Sequence, residues 1–188
     1  MVIVIVGESG SGKTTMANCI VDSSNYSRII TYTTRMPRNG ERDGVDYHFV
    51  PKSFFNNNAN KFLEMTEYNG EFYGLLKSDI VDAVSKNENV VVIVTPSGMR
   101  RIRNIVPWSK CICVYLSVPR RDRLIKMLYR GGDIDGCYRR SLCDVGQYDG
   151  VREEADVVIE NPGYKKSPDQ LVQEAMTISW NMWGVSLF

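Results

Sequence analysis

An apolar run, Val2-Ile3-Val4-Ile5-Val6, leads directly into Gly7-Glu8-Ser9-Gly10-Ser11-Gly12-Lys13-Thr14, which satisfies G-x-x-x-x-G-K-[ST] in full. Glycines at these positions let a backbone curl around a chain of phosphates so that successive N–H groups point inward. The helix that follows adds the positive end of its dipole. Glu8, Ser9, Gly10, Ser11 and Gly12 are therefore expected to cradle a nucleoside triphosphate, with Lys13 reaching its β- and γ-phosphates. Thr14 would offer its hydroxyl to Mg²⁺, and Thr15 completes the cradle at the start of the helix. This loop alone does not choose between a kinase, a GTPase switch, a motor and a repair ATPase. A switch needs a guanine-selecting motif such as N-K-x-D, which the sequence lacks, and a motor is usually longer.

A second constellation follows in Thr33-Thr34-Arg35-Met36-Pro37-Arg38. Two guanidinium forks three residues apart in a turn can clamp one phosphate bidentately. Tyr47 and Tyr73, on neighbouring short strands, can add hydroxyl donors. Four such groups in register with a phosphate loop point to a second phosphorylated ligand.

That stretch, continued by Gly40-Glu41, Asp43-Gly44 and Asp46-Tyr47-His48-Phe49-Val50, is similar to the signature of the guanylate kinase family. The chain resembles that family over nearly its whole length, strongly in the loop and in Thr31–Val50, fairly in Phe62–Gly74, and less after Asn89. The resemblance implies an α/β, P-loop three-layer fold with a parallel central sheet, a small mixed α+β subdomain for the monophosphate, and a lid. The core would be residues 1–32, 76–130 and 150–188, the monophosphate subdomain 33–75 and the lid 131–149. It implies transfer of the γ-phosphoryl group of ATP, with Mg²⁺, to GMP or dGMP. Arg35, Arg38, Tyr47 and Tyr73 would then hold the monophosphate's phosphate, Glu64 would accept from the guanine N1 and N2 groups, and Thr31 would lie near the base. Arg130 matches a family arginine, as does one of Arg139 and Arg140, of which Arg140 is favoured; both would act in catalysis with Lys13. Asn161 matches a position near the adenine of ATP.

Two departures bear on the base. Leu75 replaces a serine that helps to read guanine, and Ile93 and Thr95 stand where the family usually brings two aspartates to the nucleotide, so Thr95 becomes the candidate substrate contact on that strand. A leucine facing the pocket would leave a polar base edge unpaired, which costs discrimination. Three alternatives stay open: a viral or otherwise divergent (deoxy)nucleotide kinase of altered or broader base choice, a kinase acting on a phosphorylated sugar, and a catalytically silent protein-binding module of the same fold.

The elements that must position these residues can be read from the same 188 residues. Lys and Arg total 23 against 22 Asp and Glu, a net charge of +1, which argues against holding nucleic acid or an anionic membrane by bulk charge. The partners implied are small nucleotides, in a monomer or homodimer. Five cysteines with one histidine and no C-x-x-C pair suit free thiols in a reducing, cytoplasmic setting, with Cys111 and Cys113 as packing residues on one side of a strand. No segment approaches the ~18 apolar residues of a membrane span, and Met1–Val6 is too short for a signal peptide.

Buried strands are expected at Val2–Val6, Arg28–Tyr32, Val90–Thr95, Cys111–Ser117 and Asp156–Glu160, several of them continuous β-branched runs of the kind covered on both faces. Helices are expected at Lys13–Asp22, Ser78–Lys86, Pro119–Arg130 and Ser167–Met182. Thr33–Tyr73 breaks the rhythm with turn signals and short aromatic strands, and Asn69-Gly70 reads as a hairpin. Gly131–Asp149 reads as irregular and too polar for core. Arg100, Arg101 and Arg103 read as a solvated helix face.

Overall fold

The computed structural model describes residues 1–38, 40–68 and 70–183, with side chains through Ser179. In chain order the strands and helices are β1 (Val2–Val6), α1 (Lys13–Ser23), β2 (Ser27–Arg28), β3 (Tyr32–Thr33), β4 (His48–Phe49), α2 (Lys52–Asn57), β5 (Phe62–Tyr68), β6 (Glu71–Leu76) and α3 (Lys77–Ser85). They continue with β7 (Val90–Ile93), α4 (Pro96–Ile105), β8 (Cys111–Ser117), α5 (Arg120–Tyr129), α6 (Ile134–Cys143), α7 (Val151–Glu154), β9 (Val157–Glu160) and α8 (Pro168–Trp183).

Five strands form a parallel sheet in the order β2-β7-β1-β8-β9. Every residue of β1 is buried, and alternation sends Val2, Val4 and Val6 to one side and Ile3 and Ile5 to the other. Against the first side pack Ile80 and Ala83 of α3 with Met99 and Ile102 of α4. Against the second pack Met16, Ala17 and Ile20 of α1 with Leu171, Val172 and Ala175 of α8. Covering both faces is why these strands read as unbroken apolar runs. Cys111 and Cys113 join the first cluster as free thiols, as residues two apart on a strand must. No helix among the described residues is long and apolar enough to cross a membrane.

A second, mixed sheet runs β4-β3-β6-β5. Its short strands rest on an aromatic layer in which Phe55 and Phe62 stack at 4.6 Å and Phe54 stacks on Tyr32 at 5.3 Å. β5 and β6 are antiparallel with Tyr68 opposite Glu71, the pairing expected of the Asn69-Gly70 hairpin, although Asn69 itself lies outside the described residues, as does Asn39.

Three sequence expectations need correction. The strand at Arg28–Tyr32 is two strands: Ser27–Arg28 pairs with β7, whereas Tyr32–Thr33 pairs with β4 and β6, so the chain changes sheets in between. An apolar run carries no mark of which partner it will find. Gly131–Asp149 is not irregular, because α6 fills most of it, started by the Asp133 carboxylate accepting from Gly136 N at 2.6 Å. Only Cys137 and Ser141 of that helix are buried, which is why its sequence looks too polar for an ordered element. Arg103 is not on a solvated face. Its side chain is 14% exposed, pairs with Asp156 at 2.6 Å and stacks over Trp108 at 4.7 Å. Arg101 donates to Leu63 O at 2.8 Å, while Arg100 stays near the surface, paired with Glu154 at 2.7 Å.

Candidate active site

The loop between β1 and α1 has its shape because β1 ends fully buried and because Gly10 and Gly12 take positive φ angles of 84° and 103°. At Gly10 a Cβ would also press on Arg123 O at 3.0 Å and Met127 Cγ at 3.1 Å. No side chain caps the N-terminus of α1, so its first amides are left for an anion.

Groups distant in sequence hold this loop. Asp144 accepts from Ser9 N at 2.9 Å and from Ser9 Oγ at 3.2 Å. Tyr148 and Tyr164 donate their hydroxyls to Gly7 O at 2.8 Å and Gly10 O at 2.6 Å. Buried Arg123 binds Ser9 O and Asp144, each at 3.2 Å, and lies 3.6 Å from Glu8. Lys13 Nζ donates to Gly7 O at 2.6 Å and Glu8 O at 2.9 Å. Burial pulls the Lys13 pKa down to about 8, against the opposing pull of Asp144 and Glu8.

The loop forms one wall of a cleft of about 720 Å³. Ser9, Gly10, Lys13 and Thr14 line it from the loop side, and Thr31, Arg38, Tyr47, Glu64, Tyr73 and Thr95 from the other. Arg130 and Arg140 also line it; Arg139 does not. Thr15 lies in an adjoining depression of about 290 Å³ shared with Thr14, Arg38 and Arg130. Glu8, Ser11, Gly12, Arg35 and Asn161 do not line the cleft. Asn161 is buried and holds its own turn, accepting from Lys166 N at 2.9 Å and donating to Lys166 O at 3.2 Å.

On the cleft wall Glu64 is 5% exposed and accepts from both the hydroxyl and the backbone N–H of Thr95, the latter at 3.2 Å. Thr95 in turn caps α4, accepting from Gly98 N at 3.3 Å. Burial raises the Glu64 pKa despite these bonds. Gly98 is required here because a Cβ would fall on the Glu64 carboxylate. Leu75, opposite Glu64 across β5 and β6, is fully buried among core residues and does not line the cleft, so it presents no apolar face to a bound base.

Arg38 and Arg140 bring positive charge to the same cleft. Burial, then the charges of Arg140 and Arg35, lower the pKa of Arg38. Glu41 bridges the arginine pair, 2.9 Å from Arg35 Nη1 and accepting from Arg38 N at 2.8 Å. Arg35 also stands 5.5 Å over the Tyr47 ring, which meets Tyr73 edge to face at 6.0 Å. Sequence reasoning gave Glu41, Thr66, Tyr68, Arg123, Asp144, Tyr148 and Tyr164 no role, yet all line the cleft or hold its loop. No local pattern marks Arg123, Asp144, Tyr148 or Tyr164, since Asp144 and Ser9 are 135 residues apart, whereas alternation along β5 from Glu64 reaches Thr66 and Tyr68.

Among the described residues no group of three or more His, Cys, Asp or Glu could hold a metal by itself. The Thr14 hydroxyl beside the loop suits Mg²⁺ that arrives with phosphates, since that ion commonly takes most of its ligands from phosphate and water.

The guanylate kinase family model matches residues 1–175. The guanylate kinase of Nitratidesulfovibrio vulgaris is 31% identical over 175 residues, covering 91% of this chain and 84% of that protein. That of Caulobacter vibrioides is 31% identical over 171 residues, covering 89% and 80%. Among solved structures, guanylate kinase from Anaplasma phagocytophilum superposes with a TM-score of 0.67 at 22% identity, covering 97% of this chain and 86% of that one. A sugar kinase from Janibacter shares the fold more loosely, with a TM-score of 0.54 at 15% identity, covering 94% and 92%. With a phosphate loop, Arg38 and a buried carboxylate facing one cleft, and with matches of this extent, the chain belongs to the guanylate kinase family.

Proposed function

We propose that this protein is a nucleoside monophosphate kinase that transfers the γ-phosphoryl group of ATP to GMP or dGMP, giving GDP or dGDP. The observation that carries the reading is Glu64, buried and held by Thr95 on the wall of the same cleft that Lys13 lines. A carboxylate so placed accepts from the N1–H and N2–H groups that guanine has and adenine lacks. Arg35, Arg38, Tyr47 and Tyr73 are the proposed clamp for the monophosphate's phosphate, with incoming phosphate displacing Glu41 from the arginine pair. Segment 131–149 is proposed as the lid that carries Arg140, and 33–75 as the monophosphate subdomain.

In the reaction an acceptor phosphate oxygen forms a new bond to the γ-phosphorus while the bond to the bridging oxygen of ADP breaks. Near neutral pH the acceptor phosphate is largely dianionic, so no side chain has to remove a proton. The work of the protein is alignment and charge neutralisation. Lys13, Arg38, Arg130 and Arg140 surround the path of the migrating group. Mg²⁺, held by Thr14 and the phosphates, would supply further positive charge when ATP is bound.

The test is to incubate the purified chain with Mg-ATP and each ribo- and deoxyribonucleoside monophosphate and to follow ADP. Turnover with GMP or dGMP is expected. Turnover confined to AMP or pyrimidines overturns the guanine assignment, and no turnover with any acceptor overturns the kinase assignment.

A further inference from the structure

Among the described residues lining the cleft, Tyr68 alone has a side-chain polar atom that is closed to solvent and lacks a hydrogen-bond partner. Such a group is costly to leave unpaired, and in a binding cleft it marks a place where a ligand atom is missing. Its position says which atom. Alternation along β5 puts Glu64, Thr66 and Tyr68 on the cleft wall. Glu64 stands at the base end, and Thr66 is opposite Tyr73 of the proposed phosphate clamp. Tyr68 is one further pleat toward the phosphate loop, roughly 14 Å along the strand from Glu64. Its surroundings there are Ser9 on the loop and Arg140, Cys143 and Asp144 on and just after α6. The Ser9 side chain lies within weak hydrogen-bonding reach of the phenol, but in a geometry too long or too bent to satisfy it, so the hydroxyl is still without a proper partner. Burial pushes the phenol pKa far above neutrality, so the group is an O–H donor throughout the working range.

We propose that the Tyr68 hydroxyl donates a hydrogen bond to the phosphoryl group that passes between the two nucleotides. This places a donor from β5 against the loop wall, so the wall that holds the acceptor also contacts the terminal phosphate of ATP. The inference rests on the phosphoryl transfer read above for this cleft, but not on the identity of the base.

Tyr68→Phe removes only the hydroxyl and keeps the ring in its edge-on contact with Tyr73 at 6.3 Å and 85°. The affinities of the wild type and variant for Mg-ADP and for the Mg complex of the β,γ-imido analogue of ATP are measured by calorimetry, with thermal midpoints as a folding control. The variant is expected to bind ADP as the wild type does and the imido analogue about tenfold more weakly. With whichever monophosphate is turned over, kcat should fall by about tenfold or more while the acceptor KM changes little. Equal analogue-to-ADP ratios in the two proteins overturn the inference, as does a loss of stability without a change in that ratio. Because the titration uses no acceptor, a failed guanine assignment leaves this result readable.

Discussion

Asp144 accepts from both the backbone N–H and the hydroxyl of Ser9, at 2.9 and 3.2 Å, so the residue just after α6 is fastened to the phosphate loop. The same carboxylate lies 3.2 Å from Arg123, which is 5% exposed. An anion already seated on a loop amide helps to hold the loop in shape before any nucleotide arrives.

Removing that anion should loosen the loop. Asp144→Ala leaves Arg123 buried with only Glu8, at 3.6 Å, as an acidic partner. Breaking a buried pair from one side costs about 3 kcal/mol, so the urea midpoint should fall accordingly. An unchanged midpoint would show that Glu8 alone suffices.

Lys13 gives a pH prediction of definite sign. Its pKa is lowered by burial to about 8, from an ordinary 10.5. Between those values the unfolded chain holds the extra proton, so this group's contribution to stability rises with pH across the window. Nucleotide capture moves the other way. Above pH 8 the free protein loses its ammonium, and Mg-ATP affinity should weaken by up to about tenfold per pH unit, as read by titration from pH 7 to 9.5. In Lys13→Ala the dependence should vanish and turnover should fall by about 10³-fold.

The contrast between the loop and Asp144 shows what the sequence makes legible. Gly7–Thr14 carries its chemistry in consecutive residues next to a strand, so its fold and ligand can be read together. Arg35 and Arg38 are likewise close in sequence, and Glu41 bridges them, although only Arg38 lines the cleft. The fastening of the phosphate loop is not legible, because Asp144, Tyr148 and Tyr164 lie more than 130 residues away and look like ordinary surface polars. Leu75 shows the reverse case. A leucine at a base-reading position suggests a spoiled pocket if it faces the base, but packing buries that side chain in the core cluster that also holds Met99.

Arg103 reads as solvated in the sequence because a charged residue on an amphipathic helix usually is. Its partner Asp156 has a side chain 7% exposed and also accepts from Cys113 N at 2.7 Å. Arg103→Ala should therefore destabilise by about 3 kcal/mol, seen as a lower urea midpoint with unchanged substrate affinities. Arg100→Ala, which breaks a more exposed pair, should cost less than about 1 kcal/mol.

Glu64 is the group proposed above to select guanine. Glu64→Gln should lower kcat/KM for GMP by about tenfold to a hundredfold and leave Mg-ATP binding alone. Because burial raises its pKa, the folded chain keeps this proton to higher pH than the unfolded chain. Its contribution to stability is therefore full in acid and is lost as pH rises through the raised value. Guanine capture instead needs the carboxylate, so GMP affinity should drop as pH falls through that same value. The Gln variant should lose this acid limb, which a series of KM measurements against pH would reveal.

Gly98 tests whether the seat of Glu64 matters as much as its charge. Alanine is the better helix former by about 1 kcal/mol, so on propensity alone Gly98→Ala should stabilise α4. Its Cβ, however, would fall on the Glu64 carboxylate and lie 2.9 Å from Val94 Cβ. The carboxylate must then leave the Thr95 hydroxyl and amide. GMP affinity should fall by about tenfold with Mg-ATP affinity unchanged. Combined with Glu64→Gln, the second substitution should add little, because both remove one interaction and contacting residues do not act additively. Full additivity in that double-mutant cycle would mean that Gly98 acts through α4 and not through Glu64.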